Sequence, residues 1–185
     1  MRATRRAMSD GERARAERAI CSRIRSLGAY QRARRVAIYL AFDGEPSLDA
    51  LIGDAVARRK QIYVPVLEGP DMHFESFDPA AGLERNFFGI LEPVGGEPVD
   101  ARRLDLVLTP LVAFDGNGVR VGVGRGYYDR CFEFLLRRGS WQRPKLLGVG
   151  YEFQHVAPLR REPWDVPLWG AVTDAAVHGF HGATP

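Results

Sequence analysis

The sequence predicts an α/β fold: one three-layer α/β/α domain spanning residues 1–185, with helices on both faces of a mainly parallel sheet. Three observations carry that expectation. Apolar, β-rich bursts recur at 34–42, 61–67, 104–114 and 145–153, as strands covered on both faces require. Segments with helical spacing lie between several of them, the alternation that builds parallel sheets. The length of 185 residues suits one proper core.

The elements follow in chain order. Ser9-Asp10-Gly11-Glu12 offers an N-cap with acidic residues in the first turn, and an Ala-rich run continues to Leu27-Gly28, predicting a helix over about 9–28. RRVAIYLAF (34–42) is the first buried strand. Ser47 is placed to cap a second helix whose Leu48, Leu51, Ile52 and Val56 share a face. QIYVPVL (61–67) is another strand, and MHFESF (72–77) alternates like a half-exposed one. Residues 79–103, rich in Pro and Gly, read mostly as loop. LDLVLTPLVAF (104–114) is a further buried strand, and YYDRCFEFLLRRG (127–139) a helix closing on Gly139. KLLGVGYEF (145–153) and a short GAVTDAAV strand (170–177) complete the set.

Composition narrows the class. A hydrophobic fraction of 45% and a charged fraction of 26% are ordinary for a globular protein. No apolar run approaches the roughly 20 residues that span a bilayer. The basic N-terminus lacks the apolar stretch of a secretory signal. Cys21 and Cys131 show no close spacing, which suits a reducing compartment and a cytoplasmic location. Arginines crowd the first 35 residues, from Arg2 to Arg35. No binding motif or aromatic platform accompanies them, so no nucleic-acid partner is expected, nor a membrane. His73, His155, His178 and His181 are scattered and give no metal-ligand spacing.

The chemistry concentrates in GVRVGVGRGYYDR (118–130), which sets glycines at 118, 122, 124 and 126 among Arg120 and Arg125. Glycine is costly in regular structure, so its repetition suggests that something lies close against the backbone. A P-loop would need GxxxxGK[ST], and no lysine is present there. The dinucleotide pattern GxGxxG also fails, because Tyr127 stands at its third glycine. What remains is a glycine-alternating loop with guanidinium groups running into a helix start, an anion site suited to phosphate. Asp129 falls in the first helical turn, where it either holds a magnesium ion that bridges phosphates or balances the helix dipole.

This stretch resembles the signature of the 5-formyltetrahydrofolate cyclo-ligase family, approximately GxRLGxGxGYYD. Further blocks resemble the family in the same order: RAMSDGERA, YLAFDGEPSLDALI, IYVPVL, MHFESF, GILEPV, LLGVGYEFQ and PWDVPLWGAVTD. The resemblance covers essentially the whole chain. It implies ATP- and magnesium-dependent cyclisation of 5-formyltetrahydrofolate, with or without a polyglutamate tail, to 5,10-methenyltetrahydrofolate, releasing ADP and phosphate. In that scheme the formyl oxygen takes the γ-phosphoryl group, the second folate nitrogen attacks the activated carbon, and phosphate leaves. The protein's tasks are positioning and charge neutralisation.

By the same resemblance Arg120, Val121, Gly122, Val123, Gly124, Arg125, Gly126, Tyr127 and Tyr128 cradle the triphosphate. Arg120 and Arg125 face the phosphates, with Tyr127 beside them at the reaction centre; a local carboxylate partner is the alternative for either arginine. Asp129 and Asp165 are the implied magnesium ligands, with an Asx-type turn before Pro167 as the other reading of Asp165. Glu45 is the glutamate expected to bond the pterin ring through two parallel hydrogen bonds. Leu40, Phe88 and Tyr127 line the folate side, though Tyr127 and Tyr128 also suit packing beneath the loop.

Three departures stand out. Aligned on Arg6-Ala7-Met8-Ser9, the family's KxxLR-type motif, whose Lys and Arg touch ATP, falls before Met1. Either the start lies upstream, or Arg2 and Arg5 substitute, or ATP use is weakened; a folate- or nucleotide-binding paralogue without turnover is the alternative function. Pro46 follows Glu45 where the family has a β-branched residue, and Trp169 stands where an aspartate is common.

Overall fold

The computed structural model describes residues 1–87, 89–137 and 143–180. Phe88, the expected helix stop Gly139 and His181 lie outside the described residues. Ser9 caps the long N-terminal helix as its sequence suggests, in a reciprocal box with Glu12. The helical region is more divided than expected. It comprises α1 (Arg2–Ala7), α2 (Asp10–Ser26) and α3 (Gly28–Arg32), with an extended Leu27 breaking the last two apart. The first strand, β1 (Arg35–Ala37), is shorter than its apolar run, because the chain leaves the sheet for a turn at Asp43-Gly44. Helix α4 (Asp49–Ala57) follows, with the Ser47 hydroxyl accepting from the Asp49 N–H at 3.2 Å.

Strands β2 (Gln61–Glu68) and β3 (Asp71–Ser76) fall where strands were expected at 61–67 and 72–77, and they pair antiparallel as a hairpin. Residues 79–103 are not simply loop. They hold a small hairpin of β4 (Leu83–Arg85) and β5 (Leu91–Pro93), then the edge strand β6 (Pro98–Val99). Next come β7 (Leu106–Pro110) and a two-residue ladder of β8 (Ala113–Phe114) with β9 (Arg120–Val121). Helix α5 (Tyr127–Phe132) tightens into 3-10 geometry over Glu133–Arg137, so the predicted helix is only partly α. Strand β10 (Lys145–Val149) precedes a 3-10 turn at Glu152–Gln154. The expected single strand over 170–177 is two, β11 (Gly170–Val172) and β12 (Val177–Gly179), paired antiparallel. Thr173 causes the reversal, its hydroxyl accepting from the Ala175 and Ala176 N–H groups.

The main sheet has eight strands in the order β12-β11-β10-β7-β1-β2-β3-β6. Its centre, β11-β10-β7-β1-β2, is parallel, and the outer strands are antiparallel. Alternation along each strand makes two cores. Val36, Ile38, Leu106, Leu108, Leu147 and Val149 meet Ile20, Ile24, Tyr30 and Leu51 of α2, α3 and α4 on one face. Ala37, Val107, Leu146 and Ala171 meet Tyr127, Phe132 and Leu135 on the other. Helices therefore cover both faces of a mainly parallel sheet. Trp169 joins the first core from its rim, with the Lys145 ammonium 3.9 Å above its ring, so this departure is a packing and cation–π site.

Candidate active site

In a parallel sheet the segments leaving the strands gather at one edge, and four of them matter here: the Asp43-Gly44-Glu45 turn follows β1, Leu111 follows β7, Tyr151 follows β10, and Thr173 follows β11. The glycine-rich loop follows β9, which pairs with β8 in a separate ladder. The N-terminal helices close over the sheet edge. Arg5 is 1% exposed and donates from Nη1 to the Leu111 carbonyl (3.0 Å) and from Nη2 to the Asp43 carbonyl (3.1 Å). Its Nε is buried and has no hydrogen-bond partner among the described residues. Gly44, at φ +76°, is needed here: a Cβ would lie 3.3 Å from that of Arg5. Arg13 ties the same turn to Tyr151, bonding the Gly44 carbonyl (3.1 Å) and the Tyr151 hydroxyl (3.3 Å).

Asp43 collects Arg2, Arg5 and Arg6 around its carboxylate. Hydrogen bonding from Arg6, joined by Arg2, holds that carboxyl below the usual range despite burial. Much of the basic N-terminus is thus occupied within the molecule, Arg23 included, through the Ala175 carbonyl (2.8 Å). Glu45 behaves oppositely. Burial pushes its carboxyl up to about 7, with the Phe42 N–H (3.1 Å) and the Arg5 charge only partly opposing. Burial also raises the phenols of Tyr39 and Tyr128, and the Glu45 charge adds to both shifts. Leu40 packs at the margin of the first core near the same turn.

The glycine-rich loop is exposed from Val121 through Gly126. Gly118 has an internal cause: at φ +79°, a Cβ would meet the Leu168 carbonyl oxygen at 2.9 Å. Gly122 has none. Its φ is not left-handed, and no heavy atom lies within 4 Å of where its Cβ would stand.

Arg120 is held differently from the expectation that it faces the phosphates. Its side chain is 5% exposed, donates from Nη2 to Asp129 Oδ1 (2.7 Å), and also bonds the Val166 carbonyl. That is the local carboxylate pairing weighed against phosphate contact. Arg125 remains on the exposed loop. Tyr127 is also placed for packing: its ring lies in the second core and its hydroxyl donates to the Gly69 carbonyl (3.1 Å). Tyr128 stacks at 6.3 Å on Phe132.

Asp129 sits in the first turn of α5 and is joined to the Asp165 segment, because the Val166 N–H donates to Asp129 Oδ1 at 3.1 Å. Asp129 Oδ2 has no hydrogen bond to the described residues. Asp165 makes a local bond other than the Asx-type turn before Pro167: its Oδ2 accepts from the N–H of Glu162, three residues earlier, at 2.8 Å. Arg120, Asp129 and the Asp165-Val166 segment are thus joined to one another, while Glu45 stands on the turn that follows β1. Arg5, named with Arg2 as a substitute for the missing ATP-contacting motif, is instead buried and bonded to Leu111 and Asp43, a placement its sequence context does not reveal. A hollow of about 460 Å³ lined by Asp100, Arg102 and Phe134 contains none of these groups.

Comparison with known proteins gives the family and the fold. The family model for the 5-formyltetrahydrofolate cyclo-ligase family matches residues 1–174. The 5-formyltetrahydrofolate cyclo-ligase of Haemophilus influenzae is 37% identical over 161 residues, covering 83% of each chain. That of Escherichia coli K12 is 38% identical over 156 residues, covering 78% of this chain and 80% of its own. The solution structure of Aquifex aeolicus 5,10-methenyltetrahydrofolate synthetase superimposes with a TM-score of 0.83 at 33% identity, covering 100% of this chain and 91% of that one. The Mycoplasma pneumoniae synthetase, at 23% identity and a TM-score of 0.73, shares the fold. With the family model spanning nearly all of its length, this chain belongs to the 5-formyltetrahydrofolate cyclo-ligase family.

Proposed function

We propose that the protein cyclises 5-formyltetrahydrofolate to 5,10-methenyltetrahydrofolate in the cytoplasm, using ATP and magnesium. Family membership supports the reaction, and Gly122 is the observation that carries the nucleotide. No contact among the described residues calls for a missing side chain there, so a ligand lying against the backbone is a reason for the glycine. Arg125 supplies a cation on the same exposed loop. Arg120 acts one step back, holding Asp129 in place. Asp129, with one oxygen unengaged, and Asp165 are hard oxygen donors of the kind magnesium takes. Magnesium held there would neutralise charge on the phosphates.

Glu45, on the turn after β1, meets the pterin. An ionised carboxylate accepts two parallel hydrogen bonds from a guanidine-like edge, and burial strengthens them by excluding water. Arg5, its Nε buried and unpaired, adds positive charge beside that carboxylate. The formyl oxygen attacks the γ-phosphorus and ADP departs. The second folate nitrogen then bonds to the formyl carbon, releases its proton to solvent, and phosphate leaves. These residues bind, orient and neutralise, and none needs to become covalently attached.

The reading is tested by following the methenyl product's absorbance with 5-formyltetrahydrofolate and magnesium, with and without ATP. A rise only with ATP is expected; silence from folded protein that still binds folate would favour the non-turnover paralogue. Gly122→Ala gives a sharper check on the loop. The added methyl meets nothing in the protein, so thermal stability should stay within about 1 °C. The KM for ATP should rise about tenfold or more, because the methyl occupies the approach of the phosphates. An unchanged KM would remove the triphosphate from this stretch.

A further inference from the structure

Two of the histidines that look scattered in sequence, His155 and His178, meet in space. Glu152 and His155 are three residues apart at the 3-10 turn after β10, where side chains at i and i+3 stand almost directly above each other. His178 arrives from β12, on the far side of the sheet's β11 neighbour. The ligand atoms of the three side chains all lie within 4.8 Å of one another. Glu152 Oε1 is 3.5 Å from His155 Nδ1, and Oε2 is 3.2 Å from His178 Nε2.

We propose that Glu152, His155 and His178 form a second metal site, for a zinc-type divalent transition ion, separate from the magnesium carboxylates. Tetrahedral zinc at about 2.0–2.1 Å from its donors requires them to be roughly 3.3 Å apart; each imidazole already stands near that distance from one carboxylate oxygen, His155 from Oε1 and His178 from Oε2, so a small pivot of the carboxylate brings one oxygen toward both. Two imidazoles with one carboxylate favour zinc, nickel or copper over magnesium or calcium. The remaining imidazole–imidazole gap closes by a small turn of His155, whose side chain is 34% exposed.

The surroundings hold these donors as metal ligands are commonly held. The Thr173 hydroxyl bonds Glu152 Oε2, and the Ala176 N–H donates to that hydroxyl at 2.9 Å, anchoring it to the β11–β12 turn. The Asp174 carboxylate accepts from the Glu152 N–H at 2.8 Å. Phe114 walls the cluster, stacked at 4.9 Å on the His155 ring and edge-on at 5.3 Å to that of His178. Three protein donors leave a fourth position for water, and partial exposure gives the ion a path in.

The test is a calorimetric titration of chelator-treated full-length protein with zinc ion, without folate or nucleotide, repeated with cobalt(II) while recording visible absorption. One equivalent should bind, with a visible cobalt spectrum of a low-symmetry nitrogen–oxygen site, and tenfold excess magnesium should not displace it. His155→Ala is exposed enough to fold normally and should weaken binding about a hundredfold; His178→Gln and Glu152→Gln should do the same. The absence of saturable binding, or binding that both histidine variants leave unchanged, would overturn the site. Should His178→Gln fail to fold, the cobalt spectrum of the wild type and of His155→Ala decides alone.

Discussion

Glu45→Gln should make the protein more stable above neutral pH while weakening its hold on folate. Burial raises the Glu45 carboxyl from 4.5 to about 7 in the fold. Between those values the unfolded chain has released a proton that the native state still keeps. Stability therefore falls as pH rises through this window, and above it the fold carries the cost of a half-buried charge, about 2 kcal/mol. Glutamine removes that charge and keeps an oxygen to accept from the Phe42 N–H. The melting temperature of the variant should exceed that of wild type by about 5 °C at pH 8, and the two should converge near pH 4.5.

The same substitution takes away the anion that we assign to the pterin. The KM for 5-formyltetrahydrofolate should rise at least about tenfold, with the KM for ATP unchanged. In wild type the folate KM should fall as pH rises from 6 to 8, because Glu45 ionises there, and the variant should lose this slope. Buried acids that cost stability mark functional sites when a ligand needs their charge. A less stable variant at pH 8, or equal losses for both substrates, would place Glu45 elsewhere in the chemistry.

These predictions rest on contacts of different legibility. The β-rich bursts announce the parallel sheet because a strand buried on both faces must be apolar throughout. Ser9 and Glu12 announce a helix start because both partners of the capping box lie within one turn. The reversal at Thr173 is harder to read, since GAVTDAAV carries no glycine or proline after the threonine and turns on side-chain bonds to its own backbone. Arg5 is harder still. Its burial depends on Leu111 and Asp43 arriving from distant strands, and nothing local separates it from Arg2 or Arg6. Arg120 illustrates the limit for the site itself. Its place in a phosphate-like loop suggests an outward cation, but the 165–166 segment supplies a carbonyl that turns it inward. The histidine cluster likewise follows from strand order rather than spacing.

Asp129→Asn should reduce turnover by about a hundredfold or more, and the inward position of Arg120 makes stability part of the measurement. Asparagine can keep Oδ1 for the Val166 N–H and for Arg120 Nη2. What disappears is the counter-charge to a guanidinium that is 5% exposed. Removing one partner of a fully buried pair costs roughly 3–5 kcal/mol. Asp129 is 26% exposed and its replacement still accepts both bonds, so about 2 kcal/mol is the expected loss. Magnesium separates this structural effect from the catalytic one. If Asp129 holds the ion, raising magnesium should recover part of the lost rate in a variant that remains folded at the assay temperature. Asp165→Asn, which breaks no ion pair in the structure, should shift the same magnesium dependence with little change in melting temperature. A folded Asp129→Asn protein with wild-type turnover and wild-type magnesium dependence would leave Asp129 as the anchor of Arg120 alone, and the metal would have to be sought at other oxygen donors.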